Sequence, residues 1–170
     1  MKPTLDESVA KCNHALVSLF DWDRDNCAVE RTLSVVGDRK TLLVLREAFL
    51  GVRRFDQLRR NSGLARNILS DRLNVLVANG ILRRELYQER PQRYEYCLTR
   101  KGVDLYPVLI TLMEWGTRYG ELDEPAILLE HRRCGAIMMP QLACPECGEL
   151  VTARDVRALP GPGATLRESA

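Results

Sequence analysis

Apolar residues recur at helical spacing through most of the first 120 positions and alternate as in a strand in one place only. Residues 5–20 place Val9, Cys12, Leu16, Leu19 and Phe20 on one helical face. A polar joint at 21–26 follows, then a short predicted helix over Cys27–Val36 that Gly37 ends. Asp38 stands where a carboxylate accepts from the free amides of a first turn, and the next helix runs to about Leu50, with Leu42, Leu45 and Phe49 inward and Gly51 as its stop. A short helix over Phe55–Arg60, a turn at Asn61-Ser62-Gly63-Leu64 and a longer helix over Ala65–Ala78 give the spacing of a helix-turn-helix. The longer helix turns Ile68, Leu69, Leu73, Leu76 and Val77 to one side.

Two strand-like runs follow, Ile81–Gln88 and Arg93–Leu98, joined by Glu89-Arg90-Pro91-Gln92. A hairpin directly behind such a helix is a wing. Thr99 caps a further helix reaching about Tyr119, with Leu105, Leu109, Leu112, Met113 and Gly116 on a stripe and Pro107 predicted to kink or restart it. Beyond Gly120 only short apolar pieces remain, at 126–129, 137–139 and 150–152, between Cys, Gly and Pro. No internal repeat stands out. The expected fold is mainly α with a small β-hairpin, a winged helix-turn-helix over 27–120. It is preceded by a dimerising helix over 1–26 and followed by a ribbon-like segment over 121–158 and a disordered tail over 159–170.

Composition narrows the function. The chain of 170 residues has no apolar run near the ~18–20 residues that span a bilayer, and no basic-then-apolar leader, so the expectation is a cytoplasmic protein away from membranes. The formal net charge of +2 hides an asymmetry. Residues 1–30 carry three cations against six acids, whereas residues 53–72 carry six arginines against two aspartates, which suits an anionic partner. The aspartates at 21, 23 and 25 do not make a calcium loop, because Asn26 and Thr32 occupy the places that need Gly and Glu. No Ser, His and acid set and no glycine-rich phosphate loop is present, so an enzyme is not expected. A Cys144–Cys147 oxidoreductase would need a strand-to-helix junction that this segment lacks.

Double-stranded DNA is the partner that the residues favour. A helix that enters the major groove needs an apolar inner face and hydrogen-bonding side chains on its outer face. Arg66, Asn67, Ser70 and Asn74 supply the latter, with Arg suited to guanine and Asn to adenine. Arg39, Arg54 and Arg72, and Arg90 and Arg93 at the wing, complete the candidate contacts, with Arg59 and Arg60 along the same arc. The alternative is a protein-interaction module of the transcription machinery, a reading that does not need base-reading groups on the outer helix face.

From Cys27 to about Tyr119 the chain resembles the HxlR-type winged helix-turn-helix transcription regulators of bacteria. The resemblance rests on Cys27-Ala28-Val29-Glu30-Arg31-Thr32-Leu33, Gly37-Asp38-Arg39, Leu42-Leu43-Val44-Leu45-Arg46 and Gly51-Val52-Arg53-Arg54-Phe55-Asp56-Gln57-Leu58. It continues through Leu69-Ser70-Asp71-Arg72-Leu73, Asn79-Gly80-Ile81-Leu82, Pro91 to Thr99, Gly102 and Glu114-Trp115-Gly116. It implies a homodimeric regulator, expected to be a repressor, built on the terminal helices and bound to an inverted repeat. Lys40 replaces the family's usual Trp, and Ala28 a frequent Pro. Cys27 stands where some members carry a redox-sensing thiol, and a helix start favours the thiolate. Packing at a dimer interface explains the same residue. A small-molecule effector is compatible with the apolar faces of the N-terminal and 103–119 helices, as is dimer packing.

His131-Arg132-Arg133-Cys134-Gly135 and Cys144-Pro145-Glu146-Cys147-Gly148 form two knuckle-like pairs. Each has two residues between its ligands and a trailing Gly, the spacing with which four soft or borderline donors close a tetrahedron on structural zinc. His131 is the weakest donor of the set, and a ribbon-like segment without metal, or a disulfide between Cys144 and Cys147, are the other readings.

Overall fold

A computed structural model describes residues 20–21, 27–121, 124–159, 161–163 and 165–166. The amphipathic pattern over 5–20 lies outside these residues, except for Phe20. Elements follow in the order β1 (Phe20–Asp21), α1 (Ala28–Val36), α2 (Arg39–Phe49), α3 (Phe55–Ser62), α4 (Arg66–Ala78), β2 (Leu82–Gln88), β3 (Arg93–Leu98), α5 (Arg100–Val103), α6 (Tyr106–Tyr119) and β4 (Thr165–Leu166). The chain divides into two compact units, residues 32–140 and residues 1–31 with 141–170. No described helix is long and apolar enough to cross a membrane.

The larger unit is a winged helix-turn-helix. Asp38 starts α2: its Oδ1 accepts from the amides of Lys40 at 2.8 Å and Thr41 at 3.1 Å. These bonds, led by that from Thr41, hold the Asp38 carboxyl below its ordinary range. Val44 and Leu45 of α2 meet Leu58 of α3, Leu69, Leu73 and Leu76 of α4, and Ile81 and Leu82 at the start of the hairpin. Those leucines of α4 have no exposed surface at all, and burying such side chains stabilises by about 1.5–3 kcal/mol each. This one cluster fixes the angle at which α4 leaves the protein.

Helix α3 continues two residues past Arg60, because the Ser62 hydroxyl donates back to the Leu58 carbonyl at 2.6 Å and keeps the last turn helical. Gly63, at φ 67°, then makes the left-handed turn into α4. Strands β2 and β3 pair antiparallel from Leu82↔Leu98 to Leu86↔Tyr94 and Gln88↔Arg93, with an irregularity between Leu86 and Gln88. Arg54 forms a bridge to Glu95, and the Tyr96 amide donates to the Arg53 carbonyl at 2.9 Å, so the approach to α3 is sewn to the wing.

Thr99 ties the hairpin to α5: its hydroxyl donates to the Gly80 carbonyl at 2.6 Å and accepts from the Gly102 amide at 3.1 Å. A Cβ on Gly102 would run into the Ile81 carbonyl oxygen, so this close crossing excludes a side chain. The long helix expected after Thr99 is two helices. It breaks at Asp104–Leu105 and restarts with Pro107 in the first turn of α6, where a missing N–H costs nothing.

The smaller unit differs from the sequence expectation at its ends. Phe20 and Asp21 pair antiparallel with Leu166 and Thr165, where the pattern predicts the close of a helix and a tail without regular structure. The partners of this ladder lie more than 140 positions apart in the chain, a pairing that local periodicity cannot register.

Candidate nucleic-acid interface

Helix α4 has two chemically opposite faces. Leu69, Leu73 and Leu76 are buried, whereas Arg66, Asn67 and Asn74 are exposed and Ser70 is half-buried beside them. Four of the sequence candidates therefore share the outer side of one helix. No side chain caps α4, since Ala65 occupies the cap position. Arg66, its first residue, lies with its guanidinium 5.2 Å from the centre of the Phe55 ring, which steadies the first turn of α4 against the first turn of α3.

The wing projects from the core: β2 is exposed from Arg83 to Tyr87, and Arg90 and Arg93 flank its turn, both exposed. Among the described residues, the guanidinium groups of Arg59, Arg60, Arg90 and Arg93 face no carboxylate partner. Arg84 instead covers the Tyr94 ring at 4.1 Å, and Arg83 is paired with Glu85 at 2.6 Å. The hydrogen bond from Arg83, then that from Cys97 and the charge of Arg83, lower the Glu85 carboxyl, and the bond and charge of Glu85 raise Arg83.

Three candidates from the sequence have other surroundings. Arg54 donates through Nε to Glu95 Oε1 at 3.0 Å and lies 4.6 Å from the centre of the Tyr87 ring, so it joins α3 to the wing. Arg72 sits on the flank of the buried face of α4. Its Nε is buried without a partner and its Nη1 is 3.9 Å from Asp38 Oδ1 at the start of α2. Arg39 is exposed and lines a cavity between α2 and α6.

One buried charge escaped the sequence reading. Glu47 of α2 is 3% exposed. Its Oε1 accepts from Arg46 Nε at 3.0 Å and Nη2 at 2.7 Å, and its Oε2 from Asn61 Nδ2 at 2.8 Å. A charged side chain among the apolar positions of α2 is the one available signal, and its meaning depends on Asn61, fourteen residues away.

The cysteines fall into two settings. Cys27 is half-buried immediately before α1, and its carbonyl accepts from the Arg31 amide at 3.0 Å. Cys97 is buried, and burial first, then its bond to Glu85, pushes its thiol up, away from the reactive form. The two knuckle-like pairs fold as the same backbone turn. In the first, a bridge joins Glu130 to Ile137, His131 N donates to Ala136 O, and Gly135 N returns to His131 O. In the second, a bridge joins Ala143 to Leu150, Cys144 N donates to Glu149 O, and Gly148 N returns to Cys144 O.

Gly135 and Gly148 both have positive φ, 73° and 76°. The hydrogen-bond pattern recurs at an offset of thirteen residues, on the two pairs that the sequence spacing marks. His131 Nδ1 and Cys134 Sγ are 3.1 Å apart. The Cys144 thiol is lowered by backbone N–H groups of Cys147 and Glu146. Among the described residues, no three His, Cys, Asp or Glu side chains are gathered as a metal ion would need.

Known proteins resemble this arrangement closely. Residues 35–124 match the HxlR-like helix-turn-helix family. An uncharacterized HTH-type transcriptional regulator of Mycobacterium tuberculosis, Rv3095, is 50% identical over 137 residues, 80% of this chain and 87% of the relative. That match is longer than residues 35–124, so part of the chain outside the winged helix is shared as well. A regulator of Methanothermobacter thermautotrophicus is 38% identical over 99 residues, 58% of this chain and 76% of its own. The solved structure of PA1607, a candidate transcription factor, superposes with a TM-score of 0.70 at 35% identity, over 79% of this chain and 94% of that one. The reduced form of the redox regulator HypR superposes with a TM-score of 0.53 at 32% identity, over 56% of this chain and 95% of its own. The family and these relatives are transcriptional regulators and not enzymes. With its helix-turn-helix, its wing and its polar outer helix face in place, the chain belongs to the HxlR-like helix-turn-helix family of transcriptional regulators.

Proposed function

We propose that the protein is a sequence-specific repressor that binds an inverted-repeat operator as a homodimer. One observation carries the reading: α4 buries Leu69, Leu73 and Leu76 completely and leaves Arg66, Asn67 and Asn74 exposed beside a wing whose Arg90 and Arg93 have no acidic partner among the described residues. Base edges are read by side chains of these types, and phosphates are held by unpaired cations. Arg66 and Asn67 act at the start of α4, Ser70 and Asn74 one and two turns further on, and Arg90 and Arg93 on the flanking backbone.

The surface of α6 supports the dimer. None of its residues is buried, and Val108, Leu112, Trp115 and Tyr119 make an exposed apolar stripe, with the Trp115 and Tyr119 rings 5.5 Å apart. Such a stripe in a water-facing helix calls for a cover, and a second copy supplies one by symmetry. Two copies also double the phosphate contacts, and a single domain with a handful of them binds weakly at physiological salt.

The test is selection of bound sequences from a random duplex pool, with light scattering on the same sample. The expected result is an inverted repeat with half-sites about 34 Å apart, or a multiple of that, and a mass of two chains. In a purified transcription reaction, added protein should lower transcription from a promoter carrying that repeat. A pool that shows no enrichment, or a monomer bound to a single half-site, overturns the reading.

A further inference from the structure

Within the larger unit, α2 and α6 diverge to leave a cavity of about 470 Å3 that is walled almost entirely by hydrocarbon. Leu43 and Phe49 of α2 face Leu109 and Met113 of α6 across it, and Ile127 and Leu129 of the segment after α6 close one side. Two cations of α2 interrupt the lining, Arg39 and Arg46, seven residues apart and thus on the same helical face. The volume falls in the range that holds small organic ligands.

The two arginines differ in their freedom. Arg39 is exposed and has no acidic partner among the described residues. Arg46 spends Nε and Nη2 on the buried Glu47, which leaves part of its guanidinium with donors to give. A purely apolar occupant would leave Arg39, and the donors of Arg46 that Glu47 does not take, unanswered at the cavity wall. An apolar segment of protein would do the same unless it carried an acid at that position.

We propose that this cavity binds an organic anion with an apolar, ring-sized body and one carboxylate, and that occupancy is felt at the helix-turn-helix. Arg39 and the free donors of Arg46 hold the carboxylate, and the α2–α6 walls take the body. The signal has a short path. Arg46 holds Glu47 Oε1, Glu47 Oε2 accepts from Asn61, and Asn61 lies two residues before the Gly63 turn that aims α4. A carboxylate that draws on Arg46 competes with Glu47 and loosens the mooring of α3, so ligand and DNA affinities are linked reciprocally. The ligand-binding half stands alone, and the regulatory half rests on the DNA-binding reading above.

Calorimetry on the full chain with 2-naphthoate and its uncharged amide, 2-naphthamide, tests the site. Naphthoate is expected to bind once per chain, at least tenfold more tightly than the amide. Arg39→Gln should bring the two within about threefold, and Met113→Trp, which fills the cavity, should weaken both at least tenfold. Circular dichroism checks that each variant folds, and Leu43→Phe replaces Met113→Trp should the latter fail. Absence of naphthoate binding, equal affinity for acid and amide, or a filled-cavity variant that binds as the parent does would overturn the site. If the filled-cavity variant also turns from dimer to monomer while neither probe binds the parent, the cavity belongs to a second copy and the proposal fails. Saturating naphthoate should lower affinity for the selected operator severalfold. An unchanged operator affinity, with naphthoate bound, overturns the regulatory half alone, whereas failure to bind DNA without ligand overturns the DNA-binding reading instead.

Discussion

Asn61 Nδ2 donates to Glu47 Oε2 at 2.8 Å, and by that bond the last turn of α3 is moored to the buried side of α2. The acceptor oxygen belongs to a residue that is 3% exposed, so water does not replace the amide when it is removed. Leaving a buried acceptor unsatisfied costs about 1–3 kcal/mol. Asn61→Ala is therefore expected to lower the unfolding free energy by that amount, read as a lower urea midpoint with an unchanged slope. Asn61→Asp, which sets a second carboxylate against Glu47, should unfold at still lower urea. An Asn61→Ala midpoint equal to that of the parent would show that the mooring carries no energy.

Arginines that look alike in sequence separate by their partners. Arg54 is held by Glu95 and lies against Tyr87, while Arg93 at the wing turn is exposed and has no carboxylate partner among the described residues. Arg93→Ala should weaken binding to every duplex alike and lower the salt dependence by about one counterion. Arg54→Ala should weaken binding by releasing the wing, with the salt slope unchanged, and Glu95→Gln should reproduce that loss. Titrations at several salt concentrations distinguish these cases. A salt slope that falls for Arg54→Ala and stays constant for Glu95→Gln would place Arg54 on a phosphate.

Distance along the chain decides which features the sequence reveals and which it hides. The Asp38 cap, the Gly63 turn and the hairpin after Gly80 are written within a few residues each, and pattern reading places them correctly. So is the outer face of α4, because Arg66, Asn67, Ser70 and Asn74 alternate with buried leucines at helical spacing. The roles of Arg54, Arg72 and Glu47 are not local: Glu95 lies 41 residues beyond Arg54, Asp38 lies before another helix than the one carrying Arg72, and Glu47 depends on Asn61. A charge count sees six arginines between 53 and 72, and the fold engages two of them, Arg54 and Arg72, with carboxylates among the described residues.

Asp38 gives the protein an acid-sensitive helix start. Its carboxyl is held below the ordinary range first by the Thr41 amide, which desolvation opposes, and then by the Lys40 amide and the charge of Arg72. A carboxylate with a lowered folded pKa stabilises fully above its unfolded pKa of about 4, and that contribution disappears as pH falls through the folded value. Asp38→Asn keeps an oxygen that accepts from Lys40 and Thr41 but does not ionise there. The fall in urea midpoint between about pH 5 and pH 3 should therefore be smaller in Asp38→Asn than in the parent. Equal falls in the two proteins would show that the cap does not titrate in this window.

The two glycine-ended turns carry a prediction about metal. His131 and Cys134 in one, and Cys144 and Cys147 in the other, have the same spacing and the same backbone hydrogen bonds, with Gly135 and Gly148 at positive φ. Zinc in a structural site takes four such donors; the described residues gather no three of them, so the expectation of one ion per chain rests on the sequence spacing alone. Protein purified without added metal should contain about one zinc per chain by elemental analysis, and Cys144→Ser and Cys147→Ser should each reduce it severalfold. Because a segment this small has little apolar core, stripping the ion should make residues 126–158 sensitive to protease while the winged helix stays resistant. His131→Gln separates a full donor set from an incomplete one: loss of zinc assigns the fourth position to the imidazole, and retention assigns it elsewhere. Metal-free protein with an unchanged protease pattern would mean that the turns hold their shape through backbone hydrogen bonds alone, and zinc would then have no part in the fold.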